Sequence, residues 1–113
     1  MTTCKHTQAD RIRALNDAFR KSFVGGRVMA TAGVSALSDT ERFGLFAAVQ
    51  GFDDFSPDND PHGEHDFGSL ENGGTTYFWK IDYYDLQCVG HSPDAANPAV
   101  TVRVLTIMRA DEY

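Results

Sequence analysis

The tightest constraint in this chain is a run near its C-terminus, Val100-Thr101-Val102-Arg103-Val104-Leu105-Thr106-Ile107-Met108-Arg109, which is apolar on both sides from Val104 to Met108. A strand sends successive side chains to opposite faces, so apolar residues at consecutive positions need cover on both. Such a run belongs at the centre of a sheet. Its partners lie just upstream. Phe67–Glu71 leads into Asn72-Gly73-Gly74, residues that tolerate the positive φ of a tight hairpin, and Thr75–Tyr84 returns. In the return strand Tyr77, Trp79, Ile81 and Tyr83 share one face, and Phe78, Lys80, Asp82 and Tyr84 share the other. A short strand is expected near Leu86–Val89, with residues 91–99 as a loop.

The first half of the chain is helical in pattern. Thr7-Gln8-Ala9-Asp10 reads as an N-cap with an acid at N3. Behind it Ile12, Leu15, Phe19 and Phe23 recur at helical spacing with Ala18 beside them, while Arg11, Arg13, Asp17, Arg20 and Lys21 form the outer face. The spacing predicts a helix over residues 8–23 stopped by Gly25-Gly26, then a short strand from Arg27 to Thr31. Ser38-Asp39-Thr40-Glu41 is a second N-terminal box, opening a helix from Asp39 to about Gly51 that buries Phe43, Phe46, Ala47 and Val49. Gly44 inside it suggests close packing at that point.

Helices first and a strand meander after give an α+β fold, with the two N-terminal helices packed on one face of a four- to five-stranded, mainly antiparallel sheet. Val104, Leu105, Ile107, Trp79, Ile81, Leu15, Phe19, Phe43 and Phe46 are the expected core. At 113 residues the chain has the length of one domain, with residues 1–6 as a flexible tail. Its longest apolar run falls short of a membrane span, and its N-terminus leads into a charged helix rather than a signal segment, so a cytoplasmic location is expected. Cys4 and Cys88 are then reduced thiols.

Charge is distributed unevenly. The net charge is −6, with 16 acids against 10 bases, which argues against a duplex nucleic-acid backbone as partner. Residues 1–42 carry seven bases and four acids, and residues 43–113 three bases and twelve acids. From Phe43 to Trp79 there is no lysine or arginine, yet six acids fall between residues 53 and 66: Asp53, Asp54, Asp58, Asp60, Glu64 and Asp66. A long loop that also holds Pro57, Pro61, His62 and His65 is a candidate functional element. Phe52, Phe55 and Phe67 give it apolar anchors, and His65 should be held by a hydrogen bond to a carboxylate or backbone group.

Two chemistries fit those residues. Hard divalent cations want several carboxylates, and Asp58, Asp60, Gly63, Glu64 and Asp66 fall at positions one, three, six, seven and nine of an EF-hand loop. His62 at position five and Ser69 at position twelve break that pattern, so a true EF-hand is excluded. A looser calcium, magnesium or manganese site, or a zinc site using His62, His65 and Asp66, remains open, with Asp58, Asp60, Glu64, His65 and Asp66 as the ligand set. The other chemistry is a charged surface: Asp53, Asp54, Asp58, Asp60, Glu64 and Asp66 facing a basic partner. Cys88, His91 and Asp94 are too close in sequence for a dependable catalytic triad, and Lys80 with Asp82 reads as a surface ion pair. The aromatic strand lacks the neighbouring bases of a single-strand platform.

The stretch from Phe52-Asp53-Asp54-Phe55 to Phe67-Gly68, the segment Phe78-Trp79-Lys80-Ile81-Asp82-Tyr83-Tyr84-Asp85, and the ending Arg103-Val104-Leu105-Thr106-Ile107-Met108 resemble the bacterial domain of unknown function 3768 family. Arg11–Asp17 and Gly25-Gly26-Arg27-Val28 extend the resemblance over nearly the whole chain. It implies a short cytoplasmic protein of alphaproteobacteria, often carried on plasmids and other mobile elements, with no catalytic residues to transfer. In such proteins tyrosine is as expected at position 62 as histidine, which sets His62 apart from Glu64, His65 and Asp66.

The sequence therefore points to a non-enzymatic protein-binding module of a mobile element, in a narrower form an acidic mimic of nucleic acid directed at a host defence or DNA-binding protein. It needs no cofactor, its partner is a protein with a basic surface, neither a membrane nor a duplex is contacted, and a homodimer is compatible. The alternative is a small divalent-metal-dependent hydrolase built on the 53–66 loop.

Overall fold

The computed structural model describes residues 7–113, so Cys4 and the expected flexible tail lie outside the described residues. The chain runs α1 (Gln8–Ser22), β1 (Arg27–Ala30), α2 (Ala32–Ser35), α3 (Asp39–Gln50), β2 (Phe67–Asn72), β3 (Thr75–Tyr84) and β4 (Val102–Arg109), with short 3-10 turns at Pro98–Val100 and Ala110–Glu112. The fold is α+β. Four strands form one sheet in the order β1-β4-β3-β2. β4 is central, as its two-sided apolarity requires. The β2–β3–β4 portion is antiparallel, whereas β1 lies parallel to β4. Parallel neighbours need a long connection between them, and here everything from α2 to β3 supplies it.

Local chemistry sets the boundaries. Both expected capping boxes form: Thr7 with Asp10 on α1, and Ser38 with Glu41 on α3. The β2–β3 turn is the two-residue Gly73-Gly74, with φ of 61° and 81°, values at which a Cβ is strained. α1 stops at Phe23 rather than at the glycine pair. Phe23 takes a left-handed φ of 60° and its N–H donates to Phe19 O, closing the last turn. Gly26 is required for a different reason: a Cβ there would stand 2.5 Å from Arg103 O and 2.7 Å from the Phe19 ring.

The core lies between the helices and one sheet face. Phe19 of α1, Leu45 and Val49 of α3, and Val34 of the unforeseen one-turn α2 pack on Tyr77, Trp79, Ile81, Leu105 and Ile107. Several expectations for the helices are corrected. Phe43 is 64% exposed, and Phe46 is only half-buried. α3 is apolar around most of its circumference, so spacing could not select its inner face; Leu45 and Val49, one turn apart, take it. Ala47 is exposed. Gly44 faces open space, with no atom within 4 Å of a Cβ built on it, so it marks no close packing. On α1, Leu15 is half-buried and Ala18 exposed, while Asn16 and Arg20 are fully buried. Val104 is half-buried because it faces the side of the sheet away from the helices. Residues 86–89 form a turn, not a strand, and residues 98–100 a 3-10 turn ahead of β4.

Replacement of Phe19 by alanine should lower stability by about 3–5 kcal/mol, the usual cost of emptying a buried aromatic site. Phe43→Ala should stay within about 0.5 kcal/mol, as expected of a surface change. Urea midpoints at constant m-value measure both, and a large loss in Phe43→Ala would place α3 in a different rotation.

Candidate functional site

The loop between α3 and β2 carries the acidic block, and α1 holds it. Four α1 side chains at the helical spacing i, i+3, i+4 and i+7 reach the loop or the end of α3. Arg13 Nη1 donates to Gly63 O at 3.0 Å, and Asn16 Nδ2 to Glu64 O at 3.0 Å. Asp17 accepts from His65 Nδ1 at 2.9 Å. Arg20 donates from Nε to Val49 O at 3.2 Å and from Nη2 to Phe52 O at 3.0 Å. Its guanidinium, in a side chain 1% exposed, pairs with Asp17 at 3.1 Å and lies about 5 Å from the ring centroids of Phe55 (5.3 Å) and Trp79 (5.1 Å). Charge-assisted bonds are among the stronger polar contacts a fold can make; Val49 O accepts the Arg20 bond in addition to one from Phe52 N.

His65 is fixed on every side, as the sequence led us to expect. Its backbone takes φ of 54°, its N–H donates to Asp60 Oδ1 at 3.2 Å, and its ring stacks on Phe55 with centroids 3.7 Å apart and planes 4° from parallel. Nε2 stands 3.6 Å from Asp60 Oδ2. The loop is also knitted to itself: Asn59 accepts from Ser56 N through Oδ1 and donates through Nδ2 to Asp54 O. Phe52 and Phe55 anchor it beside Trp79, whereas Phe67 packs on Phe78 and Tyr113 on the opposite face of the sheet.

Behind the loop runs a second network. Arg103 Nε donates to Asn16 Oδ1 at 2.8 Å, Asn16 Nδ2 to the Tyr83 hydroxyl at 2.8 Å, and that hydroxyl to Glu64 Oε1 at 2.8 Å. Arg103 also donates to Ala95 O and sits over the Tyr83 ring, 5.3 Å from its centroid. Burial and the adjacent Glu64 carboxylate push the Tyr83 hydroxyl well above its ordinary pKa, so it remains a donor. Burial lowers that of Arg103, partly opposed by Tyr83 and Glu64.

The six acids of the block thus divide. Asp53, Asp54 and Asp58 are exposed, and among the described residues none forms an ion pair. Asp60 is buried, and Glu64 and Asp66 are half-buried. Burial raises the Asp66 pKa above the ordinary aspartate value, with Glu64 and then Asp60 adding to it. Of the five residues considered as metal ligands, four turn to different surroundings, Glu64 to Tyr83, His65 to Asp17, Asp60 to the backbone of His65 and Asp58 to solvent, while Asp66 is half-buried. Among the described residues no three His, Cys, Asp or Glu side chains gather around one point. Cys88, free and at φ of 58°, lines a groove with Arg27 and Met29, while Asp94 accepts from Gln8 and His91 meets Ser92 O. Lys80 and Asp82 form the expected ion pair at 3.0 Å.

Asn16, Asp17, Arg20, Tyr83 and Arg103 were not singled out from the sequence as site residues. The signal was present in the charge distribution: a loop region without lysine or arginine must find its cations elsewhere, and α1 carries them in the spacing of a helical stripe.

An α+β domain that clamps a long acidic loop onto its first helix is the class that fold and site define. The family described as "Protein of unknown function (DUF3768)" matches residues 30–112, and the chain belongs to that family. No curated protein and no solved structure matches it. Among the described residues no helix is long and apolar enough to cross a membrane.

Two outcomes follow. Arg20→Ala should cost about 3–5 kcal/mol, because it empties a fully buried side-chain site, takes the Arg20 donor from Phe52 O and removes the cation paired with Asp17; a loss under about 1 kcal/mol in urea melts would remove Arg20 from the clamp. Asp66→Asn should raise stability at neutral pH. A carboxyl whose folded pKa lies above its unfolded value opposes folding while ionised, and this opposition fades as pH falls through the folded pKa. The gain should therefore shrink on acidification below neutrality, and a gain independent of pH would mean that Asp66 ionises freely.

Proposed function

We propose that this chain is a non-enzymatic protein-binding module that presents its acidic loop to a basic surface on another protein. The observation that carries this reading is the pairing of a rigidly pinned inner edge with an outer edge of unpaired carboxylates. Asp53, Asp54 and Asp58 stand exposed on a loop whose backbone is tied to α1 by Arg13, Asn16 and Arg20. Pinning reduces the ordering cost on association, and unpaired surface charge of one sign steers an oppositely charged partner. In its narrower form, suggested by the mobile-element setting that the family resemblance implies, the partner is a basic DNA-binding or defence protein and the loop stands in for phosphates. A location in the cytoplasm belongs to the same reading. The hydrolase alternative draws less support, since the groups it needs are engaged by Tyr83, Asp17 and the loop backbone.

The test compares the native chain with Asp53→Asn/Asp54→Asn/Asp58→Asn. A protein captured by the native chain should be purified and its association rate measured at several salt concentrations. The triple variant should associate at least about tenfold more slowly at low salt, and the native rate should fall steeply with salt. The melting temperature of the variant should hold or rise, because like charges have been removed. Binding indifferent to both salt and the triple variant would overturn the proposal.

A further inference from the structure

The helices cover only one face of the sheet. The register of the strands places Arg27 and Met29 of β1, Val102, Val104, Thr106 and Met108 of β4, and Phe78, Lys80, Asp82 and Tyr84 of β3 on the other. The C-terminal turn shields one corner of that face: Tyr113 packs on Phe67 and Phe78, while Glu112 accepts from Thr31 Oγ1 at 2.6 Å and from Gly33 N at 2.8 Å. The rest is open. A groove of about 460 Å³ runs over Met29, Tyr84, Cys88, Val104 and Thr106. Met29 is 54% exposed, and the nearby 85–90 turn holds Leu86 (54%) and Val89 (83%) in solvent. A solvated sheet face normally alternates to polar residues, yet the half-buried outward positions of central β4 read Val102, Val104 and Thr106, with Met108 beyond them buried. Contiguous apolar surface of this kind marks an association site.

We infer that this open face is the interface of a homodimer, covered by the same face of a second copy. Charge selects that occupant. The chain carries net charge −6, so two copies repel through most of their surface. The open face departs from this, because Arg27 and Lys80 offset all but one of its acids, Asp82, the Glu71 of edge strand β2 and Asp85 of the adjoining turn. It is also self-complementary. A twofold axis lying between two such faces and crossing β3 at Ile81 sets Lys80 of one copy against the partner's Asp82, and the reverse. The same operation lays Thr106 over the partner's Val104 and sets Tyr84 opposite the partner's Tyr113–Phe78 corner. An isologous contact requires this kind of reciprocity. In size, four strands of 4, 6, 10 and 8 residues give roughly 450 Å² in projection. The 85–90 turn and Tyr113 enlarge that toward the roughly 800 Å² per partner of a standard interface. A reversible dimer with Kd on the order of 10 μM is expected. The acidic loop takes no part in this contact, so the inference stands or falls apart from the proposed function.

Analytical ultracentrifugation of the full chain across concentrations bracketing that value tests it. The native chain should pass from monomer to dimer and stop there. Lys80→Glu, which sets two acids against each other across the axis, should weaken dimerisation at least about tenfold, and Lys80→Glu/Asp82→Lys should restore most of it. Thr106→Arg should leave monomer throughout. Melting curves check that each variant is folded; should one be destabilised, the Lys80/Asp82 pair of variants carries the decision. A monomer at all concentrations, a dimer indifferent to Lys80→Glu and Thr106→Arg, open-ended assemblies, or occupation of the face by a different protein would each overturn the inference.

Discussion

One buried guanidinium holds this structure in register. Arg20 leaves α1 through the core, takes the carbonyls of Val49 and Phe52, pairs with Asp17, and lies beside the rings of Phe55 and Trp79. Those contacts join the first helix, the end of the third, the start of the loop and the middle of β3. An arginine suits the place because a planar fork of donors can serve two carbonyls and a carboxylate while its face rests on aromatic carbon. A lysine would offer one point charge there and would demand more water. Burying a cation costs several kcal/mol unless its donors are filled, and here the chain fills them with a carbonyl from the last turn of α3, one from the start of the loop and the Asp17 carboxylate.

The same logic explains why the acidic loop lies where it does. With no lysine or arginine between Phe43 and Trp79, its inward carboxylates and carbonyls need donors from outside that segment. α1 brings Arg13, Asn16 and Arg20, and β4 brings Arg103 by way of Asn16 and Tyr83. Once the inner half of the loop is satisfied, the outer half is left with charge and no partner. The division of Asp53, Asp54 and Asp58 from Asp60, Glu64 and Asp66 follows from which side of the loop faces α1.

Most of the fold could be read from short-range signals. Two capping boxes fixed where α1 and α3 begin, the glycine pair fixed the hairpin, and two-sided apolarity placed β4 at the centre. Where the reading failed, the deciding force was tertiary. Phe43 and Leu45 are equally apolar, and only the position of the sheet sends one to solvent and the other inward. Arg20 and Asn16 look like surface residues until the loop carbonyls they serve are in place. The parallel pairing of β1 with β4 depends on a connection spanning most of the chain, which no local pattern encodes. At the site, the separation of the proposed metal ligands was equally hidden, because Asp17 and Tyr83, which draw His65 and Glu64 away, lie far from the loop in sequence.

The family match opens at residue 30, whereas every donor that reaches the loop from the first helix comes from residues 13 to 20. The matched segment is therefore not the physical unit. Without α1, Phe19 leaves the core and the carbonyls of Phe52, Gly63 and Glu64 lose the side-chain donors that reach them. Glu64 and Asp66 then sit beside Asp60, with the charge of Arg103 reaching Glu64. Half-buried carboxylates in that position repel one another, and the repulsion is relieved by water entry and loosening of the loop. Helix and loop are thus one electrostatic element, formed together because neither satisfies its polar groups alone.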